Sequence, residues 1–121
     1  MVALGSGACS NPDAQLQQHR EHLDSLRATA TAIGQAWLAG YVSSTFSRTA
    51  FERTFELLAR ERQTMAASPD ALLDPRAAQL SESADQLARL LSQMRHDVTT
   101  TDVASMQRHL SDVVAVLSGP R

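Results

Sequence analysis

The sequence predicts an all-α fold: an antiparallel up-down four-helix bundle with a long first helix. Apolar residues recur at helical spacing in four separate segments, and no alternating strand pattern competes with them. Short polar links that contain Pro, Ser and Asp separate the segments, which makes sequential helices antiparallel neighbours. The 121 residues are 43% hydrophobic but only 4% aromatic, so the single modest core must be built mainly from Leu, Ala, Val and Met.

The first helix is predicted from about residue 12 to about residue 42. One seven-residue apolar series runs from Leu16 to Trp37, and a second, three positions later, runs from His19 to Gly40. Pro12 suits the first turn of a helix. This helix is about ten residues longer than its partners, so its first turns, at 16–22, are expected to project beyond the bundle.

The second helix follows a break in the pattern at residues 42–45. Two N-cap signals overlap there: Ser47, in a hydrophobic staple, and Thr49, in a capping box. Either of them predicts a helix that ends near Ala67.

The third helix is predicted from its cap, Asp74, and its first-turn residue, Pro75, to about Asp97. In the link before it, Leu72 and Leu73 are expected to plug that end of the core. The polar run 99–102 supplies caps for the last helix, whose apolar stripe runs from Val103 to Leu117. Gly119 and Pro120 are expected to stop this helix.

The charge balance disfavours nucleic acid as a partner. Eleven basic and thirteen acidic residues give a formal net charge of -2, whereas a duplex-binding domain normally carries an excess of Lys and Arg on one face. All the basic residues are Arg, so lysine chemistry such as a Schiff base is excluded. With no catalytic set in the sequence, we expect neither an enzyme nor a cofactor.

The lone cysteine, Cys9, follows a run of small and apolar residues, Met1-Val2-Ala3-Leu4-Gly5-Ser6-Gly7-Ala8, and precedes polar chain. This segment resembles the lipobox of bacterial lipoproteins. The resemblance implies that Cys9 carries a lipid and that residues 1–11 are a leader remnant or tether. Residues 12–118 are then the single helical-bundle domain that the apolar stripes predict. It also implies a location at the bacterial cell envelope.

An ordinary N-terminal segment with an incidental cysteine is the alternative, and the protein would then be cytoplasmic. No run of about eighteen apolar residues predicts a transmembrane helix, so membrane attachment depends on Cys9.

His19 and His22 are three residues apart on the first helix, a spacing that allows both to bind one metal ion. The simpler interpretation is one half-buried, hydrogen-bonded histidine and one surface histidine, so no metal site is predicted. Non-covalent haem would need one of Met65, Met94 or Met106 together with His109 or His19, but methionine on an apolar stripe is usually core.

The aromatic residues of the chain all lie between positions 37 and 55, around the first turn between helices. Most are expected to form that end of the core. Gly40 permits close approach of another backbone, so Trp37, Gly40, Tyr41 and Phe46 are a candidate ligand or partner pocket.

The sequence therefore favours a non-enzymatic binding or assembly module, lipid-anchored through Cys9. The first alternative is a soluble cytoplasmic interaction protein that forms a homodimer, or binds a protein partner, through the first helix. The second is a metal- or haem-binding bundle.

Overall fold

The computed structural model describes residues 12–68 and 73–117. They form four helices: α1 (Pro12–Leu38), α2 (Ser44–Ala66), α3 (Pro75–Thr100) and α4 (Val103–Ala115). Helix α1 packs against α2 and α4, α3 packs against the same two helices, and α1 and α3 also touch. The predicted all-α bundle is confirmed. We call the end with the α1–α2 and α3–α4 turns the upper end, and the end where α1 and α3 begin the lower end.

The core runs along α3, which contributes the largest share of the buried side chains. The predicted α3 stripe is confirmed at Leu80, Ala84, Leu87, Leu91, Met94 and Val98, all of them buried. Met65 and Met106 are also buried in this core. The methionines on the apolar stripes therefore serve as packing residues.

Helix α1 ends at Leu38, about four residues before the predicted end. Gly40 has a left-handed backbone (φ 79°). Its N–H donates to the Trp37 carbonyl at 3.1 Å, and the Tyr41 N–H donates to the Ala36 carbonyl at 2.9 Å. This pair of bonds is a Schellman motif, so Gly40 terminates the helix instead of continuing its apolar stripe.

Helix α2 is capped by Ser43, and both predicted N-caps are wrong. The Ser43 side chain accepts a hydrogen bond from the Phe46 N–H at 3.0 Å. Ser47 lies inside the first turn, fully buried, and its hydroxyl donates to the Ser43 carbonyl. The earlier cap leaves Phe46 exposed, so it forms no staple with Phe51.

The caps of α3 and α4 lie where the sequence places them. Asp74 accepts from the Arg76 N–H, with Pro75 in the first turn, and Asp102 accepts from the Ser105 N–H. Helix α3 extends to Thr100, beyond the predicted end, and Thr101 (φ 53°) turns the chain into α4.

The predicted overhang of α1 is wrong. Helices α1 and α3 have 27 and 26 residues, and their first turns lie side by side, with Asp13 and Arg76 paired at 2.8 Å. Leu16 packs against the core and Leu23 is buried in it. Leu73, expected to plug this end, is 82% exposed, and Leu72 lies outside the described residues.

Candidate functional site

A groove at the lower end is one of several concave features on the described helices. It lies between the first turns of α1 and α3, below the end of α4, and has a volume of about 520 Å³. Helix α3 has 26 residues but α4 only 13, so α4 stops about 20 Å short of the start of α3. We call this space the lower groove.

The lower groove has an apolar floor and a polar rim. Its floor is formed by Leu16, Leu80, Val116 and Leu117. Glutamine, serine and charged side chains of α1 and α3 form the rim: Asp13, Gln17, Arg20, Arg76, Gln79, Glu82, Ser83 and Gln86. A surface of this composition suits an amphipathic partner, since apolar contact supplies affinity and the rim supplies orientation.

The backbone at the end of α4 turns out of the helical path above the groove. Val116 is extended, and Leu117 has a left-handed backbone (φ 70°). The Leu117 carbonyl accepts a hydrogen bond from Arg20 Nη2 at 2.7 Å. This contact ties the end of α4 to α1 and defines the upper edge of the lower groove.

Arg76 forms the charged lower edge of the groove. It contacts Asp74 and Asp13, each at 2.8 Å. The hydrogen bond that Arg76 donates to Asp74, and then the one that it donates to Asp13, raise the pKa of Arg76 above its ordinary value. In turn, the side-chain and backbone hydrogen bonds from Arg76 lower the pKa of Asp74.

Replacement of the N-cap residue of α3, Asp74→Ala, is expected to destabilise the protein at neutral pH and to have little effect in strong acid. A carboxyl whose pKa is lowered by folding contributes stability above its ordinary pKa of 3.8, and loses it as the pH falls through the lower folded-state pKa. Urea unfolding of both proteins from about pH 7 down to about pH 2 measures this difference. A difference in midpoint that stayed constant over that range would contradict the assignment.

The two predicted metal-ligand candidates, His19 and His22, meet one carboxylate. Nδ1 of His19 donates to Glu61 Oε2 at 2.6 Å, and Nδ1 of His22 donates to Glu61 Oε1 at 2.9 Å. The side chains of His19 and Glu61 are largely buried, whereas that of His22 is half exposed. The cluster holds α1 against α2.

Each histidine of this cluster takes a different oxygen of Glu61, so the carboxylate lies between the two rings. A shared metal ion would need the ring nitrogens to converge on one point. Among residues 12–68 and 73–117, no group of three or more His, Cys, Asp or Glu side chains is arranged to hold a metal ion.

A second polar cluster joins the upper ends of α3 and α4. Asp97, 3% exposed, accepts from the Ser105 hydroxyl at 2.7 Å and from Nδ1 of His109 at 2.5 Å. Asp97 lies in the last turn of α3, where a negative charge faces the negative end of the helix dipole. The two donors from α4 offset that arrangement and hold the corner between the helices.

These three residue types match a Ser-His-Asp triad in composition but not in geometry. In a triad the serine contacts one ring nitrogen of histidine and the carboxylate contacts the other. Here Asp97 occupies Nδ1 of His109, and the Ser105 oxygen lies 3.4 Å from that same nitrogen. Ser105 itself donates to Asp97, so this arrangement is a structural hydrogen-bond cluster.

The candidate pocket at Trp37, Gly40, Tyr41 and Phe46 lies at the upper end. Trp37 packs partly against the core, and its Nε1 donates to the Ser44 hydroxyl at 3.2 Å. Tyr41 is 84% exposed and Phe46 is also exposed. The expectation that most aromatic residues form the core end is therefore wrong for these two, because the Schellman turn and the Ser43 cap direct them outward.

Cys9 and the rest of residues 1–11 lie outside the described residues. Within 12–68 and 73–117, none of the helices combines the length and hydrophobicity that a membrane crossing requires.

Sequence reasoning found His19 and His22 but missed Glu61, Asp97 and the lower groove. Glu61 had no local signal, because its partners are 42 and 39 residues away. Asp97 had a weak local signal. It lies near the end of one predicted helix, and Ser105 and His109 lie in the first turns of the next. The lower groove depends on where α4 ends, and the apolar stripe of α4 does not indicate that position.

Comparisons with known proteins found no matching family model, no matching curated protein and no matching solved structure.

Proposed function

We propose that this protein is a non-enzymatic helical binding or assembly module, held at the bacterial cell envelope by a lipid on Cys9. The observation that carries the proposal is the position of α1, which begins at Pro12, three residues after Cys9. A lipid on Cys9 would attach at the lower end of the bundle. The lipobox-like run before Cys9 supports the same anchoring.

The distribution of side chains supports a binding role. The two polar clusters, around Glu61 and Asp97, join pairs of helices. Two surfaces that could receive a partner are the lower groove and the exposed aromatic residues Tyr41 and Phe46 at the upper end. An anchored bundle would hold the upper end away from the membrane and the lower groove near it.

We do not favour the alternative of a cytoplasmic dimer formed through α1. That alternative relies on apolar first turns free to meet a second copy, whereas Leu16 and Leu23 pack within their own bundle. For a metal- or haem-binding bundle, the ligating atom would have to be Nε2, because a carboxylate occupies Nδ1 of His19 and of His109.

The anchoring is tested by expressing the gene with its full upstream reading frame in a bacterium. We expect the mature protein to carry acyl chains on Cys9 by mass spectrometry, and to sediment with membranes until detergent is added. The Cys9→Ser variant is expected to keep the same fold but to lose both the acyl mass and the sedimentation. An unmodified Cys9 with its leader intact would overturn the proposed anchoring.

A further inference from the structure

The lower groove continues the channel that holds α4. In the upper half of the bundle, α4 packs against both α1 and α3. Below the end of α4, residues of the same two helices line the groove. The channel below α4 is therefore lined by the same two helices that accept α4 above it.

We propose that the lower groove binds an amphipathic helix of a partner protein, in line with α4. The inference rests on the binding role proposed above and names the surface and the kind of partner. Such a helix would complete the lower half of the bundle, in the recognition mode in which an apolar helix face enters a groove.

The floor of the groove sets the apolar face of the partner. Leu16, Leu80, Val116 and Leu117 accept apolar side chains, which a helix presents at positions i, i+3 or i+4, and i+7. The lining of α3 runs from Arg76 to Gln86, about 15 Å along the helix. The partner segment therefore needs two to three helical turns.

The rim sets the polar flanks of the partner. Asp13 is paired with Arg76, and Arg20 is held by the Leu117 carbonyl. Glu82 takes part in no ion pair within the described part of the chain. A basic residue on the side of the partner helix that faces α3 would complement this acidic group.

The described end of α4 turns away from the axis of the channel. The extended Val116 and the left-handed Leu117 take the backbone off the α4 axis, and Arg20 holds it there. Within the described residues, α4 therefore does not continue into the channel that its own axis points along.

A synthetic peptide with the sequence of residues 103–117 is the probe, because α1 and α3 already accept its apolar stripe in the upper half of the bundle. Its fluorescently labelled form is titrated with the full chain carrying Cys9→Ser, and anisotropy is measured. We expect saturable binding. Because this protein carries no lipid, the result is independent of the proposed anchoring.

Two serines of α3 provide a matched pair of variants. Ser83 is half-buried and lines the groove, whereas Ser81 is exposed and does not line it. Ser83→Trp is expected to fill the groove and weaken peptide binding by about tenfold or more, while Ser81→Trp leaves binding unchanged. Gln86→Trp, an exposed rim position, is a second blocking variant that removes no core contact.

Three outcomes would overturn the proposal. The first is no saturable binding of the peptide. The second is binding that both blocking variants, Ser83→Trp and Gln86→Trp, leave unchanged. The third is binding that occurs only after residues 1–11 are deleted, which would make the N-terminal segment of this chain the occupant of the groove.

Discussion

Asp97→Ala is expected to lower the free energy of unfolding by about 3 kcal/mol. Asp97 is the buried acceptor for both Ser105 and His109. Its removal takes the acceptor away from two donors of α4 in a largely buried site, and it opens a small cavity at the corner between α3 and α4. An unpartnered buried polar group costs more than the net value of the bond that it made.

Urea unfolding, followed by circular dichroism, measures this loss. Asp85→Ala is the matched control, since Asp85 also lies on α3 and also pairs across helices, with Arg62 at 2.6 Å. Both members of that pair are exposed, so its removal should cost no more than about 1 kcal/mol. Equal losses for the two variants would show that the Asp97 cluster does not stabilise the corner.

Phe51→Ala is expected to cost about 4 kcal/mol, the largest effect of any single truncation considered for this chain. Phe51 is 0% exposed and is the largest fully buried side chain among the described residues. It packs in the core from α2. Its truncation removes a whole ring from a close-packed interior and leaves a cavity that the helices can only partly close.

Phe55, one turn later on the same helix, is the control. It is 36% exposed, so Phe55→Ala should cost about 1 kcal/mol. Both variants are compared with the parent protein by urea and thermal unfolding. A loss at Phe55 as large as the loss at Phe51 would contradict the way that α2 faces the core.

The stripes and the caps of α3 and α4 were the predictable part of the fold. The Asp74-Pro75 start and the Asp102 cap are short-range signals, because each side chain bonds an amide two or three residues away. Where two local signals competed, the sequence left the choice open. The N-cap of α2 is Ser43, which precedes both predicted caps, because the Schellman turn at Gly40 ends α1 early and lets α2 start sooner.

The candidate site was predicted only in part. The His19 and His22 pair follows from a local spacing, and His19 is largely buried and hydrogen-bonded to Glu61. Its acceptor, Glu61, lies on another helix, so the contact can be identified only from the packing of α1 against α2. The same holds for Asp97, which the sequence indicates only as the approximate end of the third helix, whereas its partners are on α4.

The sequence by itself determined four helices, their order and most of their buried faces, because helical periodicity and capping act over a few residues. Only the tertiary structure decided how the helix ends align. The alignment brings the first turns of α1 beside those of α3 rather than into solvent, and it ends α4 halfway down the channel. The lower groove is the consequence, since a space between helices depends on long-range packing that no local pattern encodes.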